Sequence, residues 1–304
     1  MRKFLFAITI ILLISGRSLK AQYYFYDDKY YENTITFELG ASVGIMNCLT
    51  DLGGKKGIGK NFIKDLNWKN TRLSYGFFGS AWYKEKIGLR VQATFGSVMA
   101  YDSILKKPDD PSTGRYERNL SFRSAIAELQ LALEIHPLLF KDDDDGPPKL
   151  SPYVVIGVGR YSFDPQANLD GTWYALHPLR LEGEGFKEYP GSKPYRLNQF
   201  NITTGVGVRY DINSQLNLRI EIEHRFLSTD HLDDVSGDYA DPDLFANYLP
   251  AGMVPIAKRL SDRRKEIDPN AATMPGDQRG DQSDKDAFFT IQLKIAMTLG
   301  RLRR

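Results

Sequence analysis

Eight stretches of this chain alternate apolar and polar residues over greater lengths than a strand of a soluble protein requires. Residues 216–226 show the pattern most clearly. One face of this stretch is apolar and the other is polar, with Leu216, Leu218, Ile220, Ile222 and Phe226 against Asn217, Arg219, Glu221, Glu223 and Arg225. Successive side chains of a strand point to opposite sides of the sheet. Both faces are accommodated when the apolar one contacts lipid and the charged one lines a closed barrel. The pattern therefore predicts a transmembrane β-barrel.

The same period of two predicts eight strands, at about 34–46, 71–83, 87–101, 120–135, 152–163, 199–212, 216–227 and 287–299. The connections between them alternate in length. Long ones lie at about 47–70, 102–119, 164–198 and 228–286, and shorter ones at about 84–86, 136–151 and 213–215. Long outer loops and short inner turns are typical of outer-membrane barrels. The predicted fold is thus all-β: an eight-stranded antiparallel transmembrane barrel with long extracellular loops.

Eight strands enclose an interior only wide enough for side chains to fill. We therefore predict a filled polar lumen in which acidic and basic residues pair, formed by Arg90, Glu128, Glu134, Arg209, Arg219, Glu221, Glu223 and Arg225. Four inward-facing glycines are expected to make room for the long arginines, namely Gly157, Gly159, Gly205 and Gly207. A narrow conducting path is the alternative use of this lumen.

A soluble, lipocalin-like barrel is the main structural alternative. It would invert the alternation, with apolar residues around a ligand cavity and the charged residues outside. Three features favour the membrane barrel over this alternative: the length of the apolar strands, the difference in loop length and the aromatic residues at strand ends. These aromatic residues are Tyr101, Tyr161, Tyr210 and Phe226.

The start of the chain has the features of a secretory signal. Arg2 and Lys3 precede an apolar run at 4–15, and Ala21 is a small residue at a plausible cleavage point. The run is shorter than the roughly 20 residues of a membrane-spanning helix. We divide the chain into a signal peptide at 1–21, a periplasmic aromatic-rich segment at 22–33 and an outer-membrane barrel domain at 34–304.

Charge and cysteine content narrow the function classes. The chain has 40 basic and 38 acidic residues, and removing the four basic residues of the signal leaves a net charge of −2. This balance gives no reason to expect nucleic-acid binding. Cys48 is the single cysteine, so neither an internal disulfide nor a cysteine-based zinc site is expected.

Motifs that suggest chemistry are weak. Residues 54–61 nearly spell a phosphate-binding loop, but Asn61 stands where Ser or Thr should hold magnesium. Ser228, Asp230 and His231 offer the residue types of a hydrolase, although triad members usually converge from distant segments. The acidic residues of 230–243 do not have EF-hand spacing. We predict no enzyme activity, no cofactor and no small-molecule substrate, with calcium binding by the last loop left open.

The segment 22–33 is rich in aromatic residues. Such segments anchor at the bilayer interface or dock on partner proteins. The candidate partner-docking residues are Tyr23, Tyr24, Phe25, Tyr26, Tyr30 and Tyr31.

Several stretches resemble a Bacteroidota outer-membrane β-barrel family that includes the type IX secretion system component PorG. They are FELGASVGIMNCLTDL (37–52), SPYVVIGVGRYSFDP (151–165), HPLRLEGEGF (177–186), KPYRLNQFNITTGVGVRYDINSQLNLRIEIEHRF (193–226) and STDHLDDVSGDY (228–239). The resemblance implies a non-enzymatic barrel that anchors secretion machinery, including periplasmic proteins, to the outer membrane. It carries over no catalytic residue.

The expected function is therefore to anchor or assemble a secretion or gliding complex of the type IX kind through the periplasmic face. Outer-membrane lipid and periplasmic secretion-machinery proteins are the expected partners, with the periplasmic segments at 22–33 and 136–151 carrying the contact. The alternative is a surface receptor that acts through its extracellular loops.

Overall fold

The computed structural model describes residues 34–54, 67–105, 113–140, 148–283 and 285–299. The predicted signal peptide, the aromatic segment 22–33, most of the loop motif at 54–61 and the last five residues lie outside them. Ten strands make up the sheet: β1 (Ile35–Leu49), β2 (Arg72–Tyr83), β3 (Ile87–Tyr101), β4 (Ser121–Ile135), β5 (Leu150–Ser162), β6 (Pro165–Leu169), β7 (Thr172–Ala175), β8 (Asn198–Asp211), β9 (Leu216–Leu227) and β10 (Ala287–Leu299).

Eight of these strands close into an antiparallel barrel, as predicted. The strands pair in the order β3-β2-β1-β10-β9-β8-β5-β4, and pairing of β3 with β4 closes the ring. A closed ring leaves no edge, so every backbone group within the membrane has a partner inside the sheet.

The predicted strands agree with the observed ones to within three residues at either end. The largest difference is β1, which continues to Leu49 because its last residues still pair with β10, as in Cys48 opposite Phe288. The hairpin of β6 and β7 was not predicted. It lies in a stretch that the sequence marked as a loop, and it turns at Asp170 and Gly171, both with positive φ.

The outer surface of the barrel is apolar and exposed. Leu73 is 77% exposed and Phe77 61%, whereas the alternate residues of the same strand, such as Phe78, are buried in the lumen. A band of exposed large apolar side chains around all eight strands is stable in lipid and unfavourable in water. This orientation excludes the lipocalin-like alternative, in which the apolar faces would point inward.

The connections at one end of the barrel are short and those at the other are long. The long connections fold over the barrel mouth. We call the described residues of these four connections, within 50–71, 102–120, 163–197 and 228–286, the loop cap. The loop cap contains β6, β7 and three short α-helices, α1 (Thr113–Arg118), α2 (Phe245–Tyr248) and α3 (Val254–Ser261). Long loops of bacterial outer-membrane barrels face the cell exterior, which places the loop cap on the extracellular side.

A hydrophobic core lies under the loop cap. It joins inward residues at the upper ends of the strands, such as Met46 and Phe122, to loop residues such as Leu181, Leu232 and Phe245. The barrel mouth is therefore covered by packed side chains. Among the described residues, no helix is long and apolar enough to cross a membrane.

Candidate functional site: a charged lumen under a loop cap

The lumen below the apolar core contains equal numbers of buried carboxylates and buried cations. The carboxylates are Glu38, Glu128, Glu134, Glu221 and Glu223, and the cations are Arg90, Arg209, Arg219, Arg225 and Lys294. All ten lie at inward positions of barrel strands, where alternation directs their side chains. A buried charge is tolerated when it is paired and hydrogen-bonded, and this set is balanced.

Arg90 of β3 contacts three of the carboxylates. Its Nη1 lies 3.0 Å from Glu134 Oε2 and 2.7 Å from Glu221 Oε2, and its Nη2 lies 2.7 Å from Glu223 Oε1. The planar guanidinium has several donors in fixed positions, which suits one cation to several acceptors. Arg90 thereby connects β3, β4 and β9 across the lumen.

Glu38 of β1 is the main acceptor near the periplasmic end. Its carboxylate accepts from Trp82 Nε1 at 2.9 Å and pairs with Arg209 Nη1 at 3.1 Å and with Arg219. Arg219 Nη1 also lies 2.7 Å from Glu134 Oε1. The two arginines therefore join β1, β4, β8 and β9 at this end.

Two further groups complete the network towards the loop cap. Arg225 Nη2 lies 2.6 Å from Glu223 Oε2 and 3.1 Å from Glu128 Oε2. Lys294 of β10 pairs with Glu221 and donates to Gln92 Oε1 at 2.6 Å. The pairs lie at successive heights, so the network fills most of the depth of the barrel.

The structure brings the eight sequence-predicted lumen residues into this one network. It adds Glu38 and Lys294, which the predicted set omitted although both lie on polar faces of predicted strands. The alternation itself was the signal for these two. Trp82, Tyr153 and Phe78 also face the lumen, and alternation was the signal for them too, since they share strand faces with the buried Ser80 and Ser151.

None of the four inward glycines named from the sequence lies against an arginine, which differs from the expectation. Backbone or side-chain atoms of Leu131, Asn201 and Ile222 lie closest to Gly157, Gly159 and Gly205, whereas Gly207 and a further glycine, Gly88, lie against aromatic rings. A Cβ at Gly207 would lie 2.3 Å from the Tyr153 ring, and one at Gly88 would lie 2.8 Å from Trp82. A ring needs a flat space beside a strand, and glycine supplies it. The Tyr153 hydroxyl then reaches Glu221 Oε2 at 2.7 Å, which links these rings to the ion network.

The loop cap holds a second set of buried carboxyl groups. Asp233 Oδ1 accepts from the backbone N–H of Val235 at 3.0 Å, and its Oδ2 accepts from that of Leu52 at 3.3 Å. Asp286 Oδ2 accepts from the N–H of Leu232 at 2.8 Å. Glu182 accepts from Ser236 and Gly237 in the same way. These carboxyl groups satisfy buried backbone donors and hold the loops to one another.

Burial raises the pKa of three carboxyl groups of the loop cap, those of Asp233, Glu184 and Asp230. It raises the pKa of Asp233 to about 7, with Asp51 as the next cause. It raises the pKa of Glu184 to about 7, with the neighbouring Glu182 carboxylate adding to the shift. It also raises the pKa of Asp230 to about 8. These groups bind protons more tightly in the folded loop cap than in the unfolded chain, so their contribution to stability is present at low pH and is lost as pH rises.

The weak chemical motifs do not assemble into a site. Ser228 Oγ donates to Gln199 Oε1 at 3.2 Å, whereas the His231 ring stacks on Tyr195 with ring centroids 4.6 Å apart. Ser228 and His231 therefore have different partners, and no triad geometry forms. Within the part of the chain that the structure describes, no group of three or more His, Cys, Asp or Glu residues could hold a metal ion.

The candidate docking residues Tyr23, Tyr24, Phe25, Tyr26, Tyr30 and Tyr31 lie outside the described residues. The periplasmic connection 136–149, by contrast, is partly described. Its residues Pro137–Phe140 form a single 3₁₀ turn whose Leu138 and Phe140 side chains are 39% and 50% exposed.

Together, the closed barrel, its apolar outer band and its charge-balanced lumen define a bacterial outer-membrane β-barrel protein. Neither a protein-family model nor a curated protein matches the chain. Solved structures similar to it include Neisserial surface protein A, with 7% identity, coverage of 86% of this chain and 96% of that one, and a TM-score of 0.38. OprG from Pseudomonas aeruginosa has 10% identity, coverage of 86% and 95%, and a TM-score of 0.36. Outer membrane protein W of Escherichia coli has 12% identity, coverage of 90% and 100%, and a TM-score of 0.34.

Proposed function

We propose that this protein is a non-enzymatic barrel that anchors or assembles a protein secretion or gliding complex, of the type IX kind, through its periplasmic face. The lumen is filled by paired side chains, so the proposed activity lies on the surfaces at the two ends of the barrel. The family resemblance in residues 37–52 and 151–239 supports the choice of the periplasmic end.

The observation that carries the proposal is the pair Leu138 and Phe140. They are large, apolar and exposed at 39% and 50%, and they belong to the longest of the periplasmic connections. Short turns need no apolar residues, and the Phe140 ring lies 5.7 Å from Lys86 Nζ, which adds a cation to the patch. Exposed apolar side chains beside a charge are typical of contact surfaces between proteins.

The test is a mild-detergent purification of the tagged, full-length protein from its native outer membrane, with mass spectrometry of the proteins that co-purify. We expect periplasmic and lipoprotein components of a secretion machine. Leu138→Ser with Phe140→Ser, or deletion of residues 22–33, should release them while the barrel still folds. Met253→Ser with Met274→Ser, two exposed methionines of the loop cap, is the matched control and should retain them. Unchanged co-purification after both periplasmic changes contradicts the proposal.

The second candidate is a surface receptor, supported by the loop cap. The cap has its own hydrophobic core and carries an open depression of about 360 Å³, lined by Ser236, Gly237, Asp238, Gln278, Gly280, Asp281 and Gln282. A receptor would lose its function on replacement of these residues and keep it after the periplasmic changes. Comparing variants of this depression with the periplasmic variants therefore separates the two functions.

A further inference from the structure

One outward position in the lipid-facing band carries a charge. Arg160 follows Ile156 and Val158 on the outer face of β5, and its cross-strand neighbours are Leu129 on β4 and Phe200 on β8. Leu129 is 60% exposed and Phe200 66%, so both belong to the lipid-facing surface. Within the described part of the chain, Arg160 has no carboxylate partner. An arginine here must direct its guanidinium along the barrel to the headgroup region and to an anion there.

A second outward arginine lies nearer the loop cap. Arg123 of β4 stacks its guanidinium 3.7 Å from the ring centroid of Trp173, and its Nε and Nη2 donate to Gln166 Oε1 at 3.2 and 3.1 Å. Gln166 is in turn held by Asp164 at 2.9 Å. These contacts position the guanidinium in advance, while its Nη1 makes no hydrogen bond to the described protein. A held guanidinium with an unused donor suits an external phosphate.

Arg196 adds a third cation beside these strands. The Arg196 side chain is exposed, and the residue precedes β8. This stretch continues the ladder, since the Phe163 N–H donates to Leu197 O at 3.0 Å.

The distance between Arg123 and Arg160 limits the ligand. Arg123 lies six residues along β4 from Leu129, the cross-strand partner of Arg160, and six residues span about 20 Å at roughly 3.3 Å per residue. A single phosphate cannot reach both arginines, whereas a large headgroup with several anionic groups can.

Among the described lipid-facing positions of the barrel strands, Lys or Arg stands on β4 and β5 alone; the exposed Arg72 lies at the start of β2, at a position paired with the inward Met46. The outward positions of β1, β2, β3, β9 and β10, all within the described residues, carry no Lys or Arg, and residues such as Val43, Tyr75, Phe95, Ile222 and Ile291 stand there instead. A general requirement for interfacial charge would distribute such residues around the ring. Their restriction to neighbouring strands indicates a site.

We propose that β4, β5 and the segment preceding β8 bind the phosphorylated glycolipid headgroup of the outer leaflet through Arg160, Arg123 and Arg196. The lipid's acyl chains lie against the apolar band next to Leu129 and Phe200, and its phosphates pair with the guanidinium groups above. This site goes beyond the proposed function, because it concerns the lipid around the barrel and not a periplasmic partner.

The test uses the full-length protein in detergent with lipid A, a bis-phosphorylated glycolipid, as the probe and dephosphorylated lipid A as its control. Native mass spectrometry measures the retention of each. We expect at least about tenfold stronger retention of the phosphorylated form, a ratio that one or two charge-assisted contacts supply. Equal retention of the two lipids overturns the proposal.

Variants locate the site. Arg123→Gln with Arg160→Gln should remove the preference for lipid A, whereas Lys84→Gln with Lys149→Gln, which removes the same charge at the periplasmic end, should preserve it. Equal loss in both double variants overturns the proposal. Arg160→Gln alone breaks no ion pair within the described protein, so the barrel of this variant should fold. The single variant should retain lipid A less strongly than wild type and more strongly than the Arg123→Gln/Arg160→Gln variant. Displacement of lipid A by inorganic phosphate would assign the site to free phosphate and contradict the lipid assignment.

Discussion

Replacing Arg90 by methionine removes a single cation that contacts three carboxylates. The Arg90 side chain is fully buried, and its contacts with Glu134, Glu221 and Glu223 span 2.7 to 3.0 Å. Removal leaves five lumen carboxylates against four cations in the described network. Breaking one buried ion pair costs about 3–5 kcal/mol, mainly because the remaining charge is left uncompensated. With three carboxylates affected, we expect a loss of at least about 4 kcal/mol in the free energy of unfolding.

The assay is urea unfolding of the full-length protein in lipid vesicles, followed by tryptophan fluorescence and by the gel mobility of the folded barrel. Trp82 lies in the same lumen and is buried, so its emission reports loss of this region. The double variant Arg90→Met with Glu223→Gln restores the charge balance and should recover part of the lost stability. Arg259→Met is the control, since it breaks an ion pair with Asp170 that is exposed to solvent and is expected to contribute little to stability. If Arg90→Met costs no more than Arg259→Met, the lumen network is not a main source of stability.

Three further changes test the loop cap and the lumen packing. The pKa values of Asp233 and Glu184 are raised from 3.8 and 4.5 to about 7, so the stability of the loop cap should fall between about pH 4 and pH 7 and level off above pH 7. The expected decrease is up to about 1.4 kcal/mol per pH unit for each group. Hydrogen exchange of loop-cap amides measures this stability, and a rise in their protection with pH would contradict the prediction. Asp233→Asn should reduce that slope without changing the exchange of barrel amides. Gly207→Val should destabilise the barrel by about 2–4 kcal/mol, since its Cβ would lie 2.3 Å from the Tyr153 ring. Gly191→Ala, with open space around it, should be neutral in the same urea assay.

Much of the barrel was predictable because one physical rule governs it. A strand directs alternate side chains to opposite faces, so the alternation in 216–227 specifies both the strand and which residues enter the lumen. The structure has Leu216–Leu227 as β9, with Arg219 and Glu221 inside and Ile220 and Ile222 outside. The hairpin of β6 and β7 was missed because its strands are short and its Pro165 suggests a loop. The Asp170-Gly171 pair, a strong turn signal between two strands, could have identified it.

The loop cap was not predictable from local patterns. Its core joins residues such as Leu52, Leu181 and Phe245, which lie in different connections and have no shared periodicity. The acidic residues of 230–243 are, from the sequence alone, compatible with a hydrated loop, an arginine-paired loop or a calcium site. In the structure Asp233 and Asp286 are buried and accept backbone N–H groups, because the packing of other loops excludes water from them.

The sequence by itself determined the number of strands, their boundaries to within a few residues and the sides on which their residues lie. These properties depend on neighbours two residues apart. Only the tertiary structure decided the partners: Arg90 contacts Glu221 over a separation of 131 residues, and Arg219 contacts Glu38 over 181. Such pairs depend on the register in which distant strands meet when the barrel closes, and a one-residue shift would exchange the lumen and lipid faces of a strand. Alternation identifies which charges enter the lumen, and closure of the barrel decides which of them meet.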